Sequence, residues 1–436
     1  MIRPGNMFIF VILLISCIFC NSQNQSNITD WPQWRGPGRD GIWIENISID
    51  SLKADNIKKI WSAPVGPGYS GPTVADKRVF VMDYIKETVP SERVHCFDAL
   101  TGRSLWTYAY PCEYTSVGYP VGPRASVLIN EKKAYSFGTM GHLFCFDAET
   151  GDVLWQHNTL EEYNSRIPVW GLASSPIIEK NMIIVQVGGQ PGACIMAFDK
   201  YTGIEIWRAM EDEASYSAPI IIDQAGKKVL IFWTKEHLAG LDPGTGNIHW
   251  KIPFDQSRGA INIATPVYSK PYLFISSFWD GSMLVSLDQN KLEAEKVWYR
   301  VGESENHTDA LHCCISTPVI KEEHIYGIDS YGEFRCLDLF TGDRIWESFD
   351  MVPYGRWANA HLIQQGERVW AFNELGDLIM GELTPQGFKD YGRVSIIKPV
   401  NMSPHPRNGV CWAHPAFAGK FIYVRNDEEL ICLKLQ

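Results

Sequence analysis

The chain has 436 residues, 45% hydrophobic and 20% charged, which is a globular composition and excludes a disordered one. Lys and Arg number 39 against 50 Asp and Glu, for a net charge of −11. No basic run is long enough to track a phosphate backbone, so nucleic acid is not an expected partner.

In chain order, the first predicted element is a targeting signal. Arg3 is the only charge before an apolar run at 7–15, which is too short to span a bilayer and has the length of a signal-peptide core. Two processing routes are open. One is cleavage after Ser22, with Cys20 and Ser22 as the small residues before the cut. The other is lipidation of Cys17 in Leu14-Ile15-Ser16-Cys17, which is similar to a bacterial lipoprotein box but lacks its usual small residues upstream. Residues 1–22 are therefore read as a signal peptide, or as a lipoprotein signal ending before Cys17. Residues 23–30 read as a polar tether and 31–436 as a single domain. No later segment approaches eighteen apolar residues, so membrane contact is expected only through an N-terminal lipid.

The rest of the chain repeats one unit. The copies are VHCFDALTGRSLW (94–106), LFCFDAETGDVLW (143–155), MAFDKYTGIEIW (196–207), HLAGLDPGTGNIHW (237–250) and FRCLDLFTGDRIW (334–346), with degenerate copies from Met283, Leu378 and Leu430. The aligned Asp-type positions are 43 to 52 residues apart, the length of a four-stranded propeller blade. The alternating apolar run is a strand, Asp-x-x-Thr-Gly is a hairpin turn, and the closing Trp fills the space between blades.

A small-small-Pro element precedes most copies, as in Ser70-Gly71-Pro72, Ser174-Ser175-Pro176, Ser217-Ala218-Pro219, Ala264-Thr265-Pro266 and Ser316-Thr317-Pro318. Looser versions stand at Gly122-Pro123, Ala360-His361 and Ala413-His414-Pro415. Small residues suit strands converging on an axis, which predicts eight innermost strands. The last repeat stops at Gln436 without an outer strand, and Lys59-Ile60-Trp61 supplies it. The fold is therefore expected to be all-β: an eight-bladed β-propeller of four-stranded antiparallel blades, closed by an N-terminal outer strand that removes an open edge.

The Asp-x-x-Thr-Gly-x-x-x-Trp repeat resembles that of the pyrroloquinoline-quinone (PQQ)-like propellers over nearly the whole chain after the signal. That family includes quinone-dependent alcohol and sugar dehydrogenases and non-catalytic scaffolds of the outer-membrane assembly branch. Trp31-Pro32-Gln33-Trp34-Arg35-Gly36-Pro37 with Asp40-Gly41 is similar to the opening segment of many secreted bacterial members. The resemblance implies an exported protein that is periplasmic, outer-membrane-associated or secreted.

The chemistry-bearing candidates fall in loops entering inner strands. Cys313-Cys314 stand beside His307, Asp309 and His312, and in the quinone dehydrogenases a vicinal cysteine pair lies against the cofactor. Arg124, Trp170 and Arg258 enter three other blades. Trp357, Asn359 and His361 enter a further one, and Arg407, Trp412 and His414 the last. A flat quinone wants a Trp beneath it and Arg or Asn at its carboxylates, and a sugar wants nearly the same set. Calcium wants several oxygens, for which Asp309, Asn359 and Glu374 are the nominees. No Cys-x-x-Cys-His haem signature, nucleophile elbow, His-Glu-x-x-His or phosphate loop is present. Cys96, Cys145, Cys336 and Cys432 share one repeat position and read as small core residues.

The expected function is a non-catalytic binding or assembly scaffold of the bacterial envelope. Its partner would be a protein or glycan at the channel mouth, and it would act as a monomer. The alternative is a PQQ- and calcium-dependent alcohol or sugar dehydrogenase. A second alternative is a carbohydrate-binding or carbohydrate-cleaving propeller.

Overall fold

Each small-residue element leads directly into a short strand. These are Thr73–Ala75, Leu128–Asn130, Ile177–Glu179, Ile220–Gln224, Val267–Ser269, Val319–Lys321, Ala360–Gln365 and Ala416–Ala418. They are the innermost strands of eight four-stranded antiparallel sheets in a computed structural model that describes residues 1, 30–47, 49–119, 121–254, 256, 259, 261–400 and 409–436. We number the sheets as blades 1 to 8 in that order. In blades 1 to 7 the four strands are consecutive in the chain. In blade 8 the outer strand is Ile57–Pro64, paired antiparallel with Glu429–Leu435, so the N-terminal segment closes the ring as expected. The predicted signal and most of the tether, residues 2–29, lie outside the described residues. Among the described residues no helix is long and apolar enough to cross a membrane.

The repeat motif works as a turn and as a socket. In blade 1 the Asp98 carboxylate accepts the N–H groups of Leu100 (3.1 Å) and Thr101 (2.9 Å), and Gly102 follows at φ +71°. The same turn forms at Asp147, Asp199, Asp242, Asp288 and Asp338. The outer-strand Trp of one blade then lies over the turn glycine of the next. Trp61 covers Gly102, Trp106 covers Gly151 and Trp155 covers Gly203. Each indole N–H donates to a main-chain carbonyl of that turn: Trp61 to Ala99 (2.9 Å), Trp106 to Ala148 (3.1 Å) and Trp155 to Lys200 (3.1 Å). Blade 4 departs from this. Leu292 stands where the turn glycine of blade 5 would be, and Trp250 lies instead over Gly240 of its own blade, bonded to Gln224 (3.0 Å).

Cys96, Cys145, Cys336 and Cys432 sit directly opposite Trp106, Trp155, Trp346 and Trp61 in the ladders. All four are fully buried free thiols, and a small side chain there leaves room for the indole. Cys112, Cys194 and Cys411 are also buried and free.

The socket carries a testable cost. A Cβ on Gly151 would meet the Trp106 ring at 2.7 Å, at φ +82°. Gly151→Ala is expected to lose about 2–3 kcal/mol in urea unfolding, part from the left-handed backbone and part from the displaced ring. Gly226→Ala is the control. Its φ is +73°, but nothing lies within 4 Å of the added atom, so only the backbone part, about 1–2 kcal/mol, is expected.

The path of residues 31–41 is not readable from the repeats. This strap crosses the propeller axis. Trp31 pairs with Val74 of blade 1 in both directions (2.8 and 2.9 Å), and the Pro32 carbonyl accepts the Ile129 N–H of blade 2 (2.8 Å). The Arg39 guanidinium donates to Ser175 O (3.0 Å) and Pro176 O (2.7 Å) of blade 3 and Pro219 O (2.8 Å) of blade 4. The Trp34 indole donates to Thr265 of blade 5 (2.8 Å), and Gly41 O accepts the Gln364 N–H of blade 7 (2.8 Å). Trp34 also lies 5.1 Å from the His414 ring of blade 8. Seven of the eight blades are thus tied to one short segment.

Candidate functional site

The loops entering the inner strands converge at one end of the axis, and the strap closes the channel beneath them. The result is a blind bowl of about 160 Å³ to which every blade contributes. Tyr69 comes from blade 1, Tyr119 and Arg124 from blade 2, Trp170 from blade 3 and Tyr216 from blade 4. Ile261 and Ile263 come from blade 5, Cys314 and Ile315 from blade 6, Trp357 from blade 7 and Trp412 from blade 8. Trp34 of the strap forms the floor.

The rings brace one another. Tyr119 meets Trp357 edge-on at 5.5 Å, Trp170 meets Tyr216 at 5.6 Å, and Tyr69 lies 5.9 Å from Trp412. Their polar atoms are drawn into the wall. Trp412 donates its indole N–H to Glu374 (3.1 Å), Trp34 donates to Thr265, and the Tyr216 hydroxyl accepts the Trp170 main-chain N–H (3.4 Å). What faces the cavity is therefore mostly ring carbon.

Arg124 is the lining cation among the described residues. Its guanidinium donates to the carbonyls of Gly118 (3.1 Å), Tyr119 (2.8 Å) and Gly122, and its carbon lies 5.2 Å from the centre of the Tyr69 ring. Burial draws its pKa below the usual arginine value, while Tyr114, Tyr69 and Glu92 push back. Behind it the fully buried Glu92 accepts the hydroxyls of Tyr110 and Tyr114 and the Thr139 N–H (3.0 Å). The carboxylate that Arg124 feels among the described residues, Glu92, thus stands one tyrosine away.

The fourteen residues singled out from sequence fall into groups. Arg124, Trp170, Cys314, Trp357 and Trp412 line the bowl. Asn359, His361 and His414 are buried behind its wall. His361 Nε2 lies 2.8 Å from the Trp412 carbonyl, and the two imidazoles are 4.8 Å apart. Burial lowers both histidines, His361 to about 4.

Cys313 and Cys314 point opposite ways. Cys313 enters the core between blades 5 and 6 with Phe274 and Ile325, and only Cys314 reaches the bowl. Both are free thiols, and burial pushes Cys314 up to about 12, so it is neutral at physiological pH.

His312 is spent on folding its loop. Nδ1 bonds Phe278 O (3.0 Å), and Nε2 accepts the Gly302 N–H (3.2 Å). Asp309 pairs with Arg300 through two bonds of 2.7 and 2.9 Å, and His307 lies exposed beside Ser304. Arg258 and Arg407 lie outside the described residues. The aromatic lining residues not singled out are Trp34, Tyr69, Tyr119 and Tyr216, and the aliphatic ones Ile261, Ile263 and Ile315 were missed as well. A signal for two of them was present, because Tyr69 and Tyr216 stand directly before their small-small-Pro elements, as Trp412 stands before Ala413.

The described residues do not by themselves fit PQQ with calcium. Among the described residues no group of three His, Cys, Asp or Glu is placed to hold a metal. Of the nominated oxygens, Asp309 is engaged by Arg300, and Glu374 accepts the Trp412 indole. Among the described lining residues the cofactor's carboxylates would meet one guanidinium, already holding three main-chain carbonyls. A glycosidase pair is no better placed, since no carboxylate is among the described residues lining the bowl.

The outer membrane protein assembly factor BamB of Yersinia pestis is 24% identical to this chain over 207 residues, 44% of this chain and 49% of that protein. The chain thus spans about half the length of that curated relative. Among solved structures, BamB from Moraxella catarrhalis superposes with a TM-score of 0.56 at 14% identity, covering 87% of this chain and 100% of that one. Quinohemoprotein alcohol dehydrogenase from Comamonas testosteroni gives 0.50 at 14% identity, over 93% and 80%. At such identities the likeness is one of fold. The family model for the outer membrane protein assembly factor BamB matches residues 49–167 and 90–348, and the chain belongs to that family of PQQ-like β-propellers.

Proposed function

We propose that this propeller is a non-catalytic binding scaffold of the bacterial cell envelope, and that it engages a protein partner at the aromatic bowl. The observation that carries this reading is the bowl's composition. Eight loop ends deliver rings, aliphatic side chains and one guanidinium, with no acid pair or oxygen cluster among the described lining residues. Such a site binds well, and its described lining offers no carboxylate or imidazole to run acid–base chemistry. The printed role of the relatives, outer membrane protein assembly, supports a partner that is a protein and a chain that is exported. The signal-like residues 7–15 support the same location, with either a cleaved or a lipidated N-terminus.

The test is titration of the purified protein with PQQ and calcium, followed by dye-coupled oxidation of alcohols and sugars. The expected result is no saturable quinone binding and no turnover. Turnover that is lost in Trp170→Ala would replace the scaffold reading with the dehydrogenase one.

A further inference from the structure

Resting on the scaffold reading, we infer that the bowl receives a single aromatic side chain of the partner protein, with a neighbouring carboxylate of that partner reaching Arg124. Size comes first. An apolar cavity of about 150 Å³ takes one benzene ring, and this bowl is about 160 Å³. Polarity comes second. A sugar ring brings hydroxyls that each need a partner, yet the Trp34 and Trp412 indoles and the Tyr216 hydroxyl are engaged within the wall. An aromatic side chain loses nothing there and gains ring contacts on several sides.

Charge fixes the rest. A guanidinium has five N–H donors, and Arg124 uses three, on Gly118, Tyr119 and Gly122. The remaining two have no partner among the described residues, and part of the side chain stays open to the cavity. Its own countercharge, Glu92, is screened behind Tyr114. The rim cation Arg356 is already paired with Glu305 at 2.7 Å. A partner carboxylate next to the inserted ring therefore meets a partly desolvated guanidinium that has no ion pair among the described residues.

The experiment titrates the full mature protein with acetyl-Asp-Phe-amide, acetyl-Lys-Phe-amide, acetyl-Asp-Ala-amide and cellobiose, read by tryptophan fluorescence. Acetyl-Asp-Phe-amide is expected to saturate, roughly tenfold tighter than either other dipeptide, with cellobiose silent. Arg124→Gln should bring acetyl-Asp-Phe-amide to the level of acetyl-Lys-Phe-amide. Trp357→Ala should weaken both, and it covers the case in which the Arg124 variant does not fold. Equal affinities for the three dipeptides, saturation by cellobiose, or no dipeptide saturation up to the solubility limit would overturn the inference. Failure here with a protein still crosslinked at the bowl in cells removes only the ligand class. PQQ turnover removes the scaffold reading itself.

Discussion

Arg39→Ala is expected to destabilise the protein by about 3–5 kcal/mol, read as a lower urea midpoint with an unchanged slope. Arg39 is 4% exposed and bonds three main-chain carbonyls on two adjacent blades, with Gln33 as its fourth partner at 3.2 Å. Burial lowers its pKa to about 9, so it remains charged at neutral pH. Alanine removes the charge and leaves the carbonyls of Ser175, Pro176 and Pro219 without these donors under the strap. Arg39→Lys keeps a charge but not the planar fork, and should recover only part of the loss. A change below about 1 kcal/mol in the alanine variant would make the strap an ornament on a self-sufficient ring.

The second large effect is acid sensitivity. His361 has a folded pKa of about 4, lowered by burial first and by Arg35 as well, although its bond to the Trp412 carbonyl opposes this. His414 is lowered in the same way, by burial, by His361 and by Arg35. The unfolded chain therefore takes up protons that the folded chain refuses. Stability from these groups is full above about pH 6.5 and is lost as pH falls toward 4, by roughly 3 kcal/mol for His361 alone.

The carboxylate of Asp83 acts in a lower window. Burial pushes Asp83 up, but bonds from His95 and Arg93 outweigh it and hold Asp83 well below the usual range. Its contribution is lost only below about pH 4. Denaturant midpoints are thus expected to fall between pH 7 and 5, and His361→Gln should flatten that fall. A flat wild-type profile over this range would mean that the two imidazoles are hydrated and not sealed behind the bowl.

Much of the fold was legible because the repeat carries mechanics that do not depend on neighbours. An Asp that accepts two turn N–H groups, a glycine with positive φ and a Trp ten residues after the strand position it opposes define a blade locally. The mouth of the channel was legible for the same reason, since every small-small-Pro element marks where the chain turns inward. The strap was not legible. Trp34 and Arg39 act on blades 3, 4 and 5, more than 130 residues away in the chain, and no local pattern announces such contacts.

The Cys313-Cys314 pair shows a second limit. The chain bends at Cys314, so a motif that looks like one group places one thiol in the core and one in the bowl. His312 and Asp309 share that limit, because whether a polar side chain serves a ligand or its own loop depends on what the loop leaves unpaired.

The most direct test of the account replaces Tyr119, at the bowl, with a photo-crosslinking amino acid in the producing cell. Irradiation is expected to give one defined adduct with an envelope protein, absent when the probe stands at the outward-facing Ile248 instead, and lost again when Trp170→Ala is added. No adduct at Tyr119, together with strong adducts at Ile248, would contradict the account and place the binding surface on the blade edges.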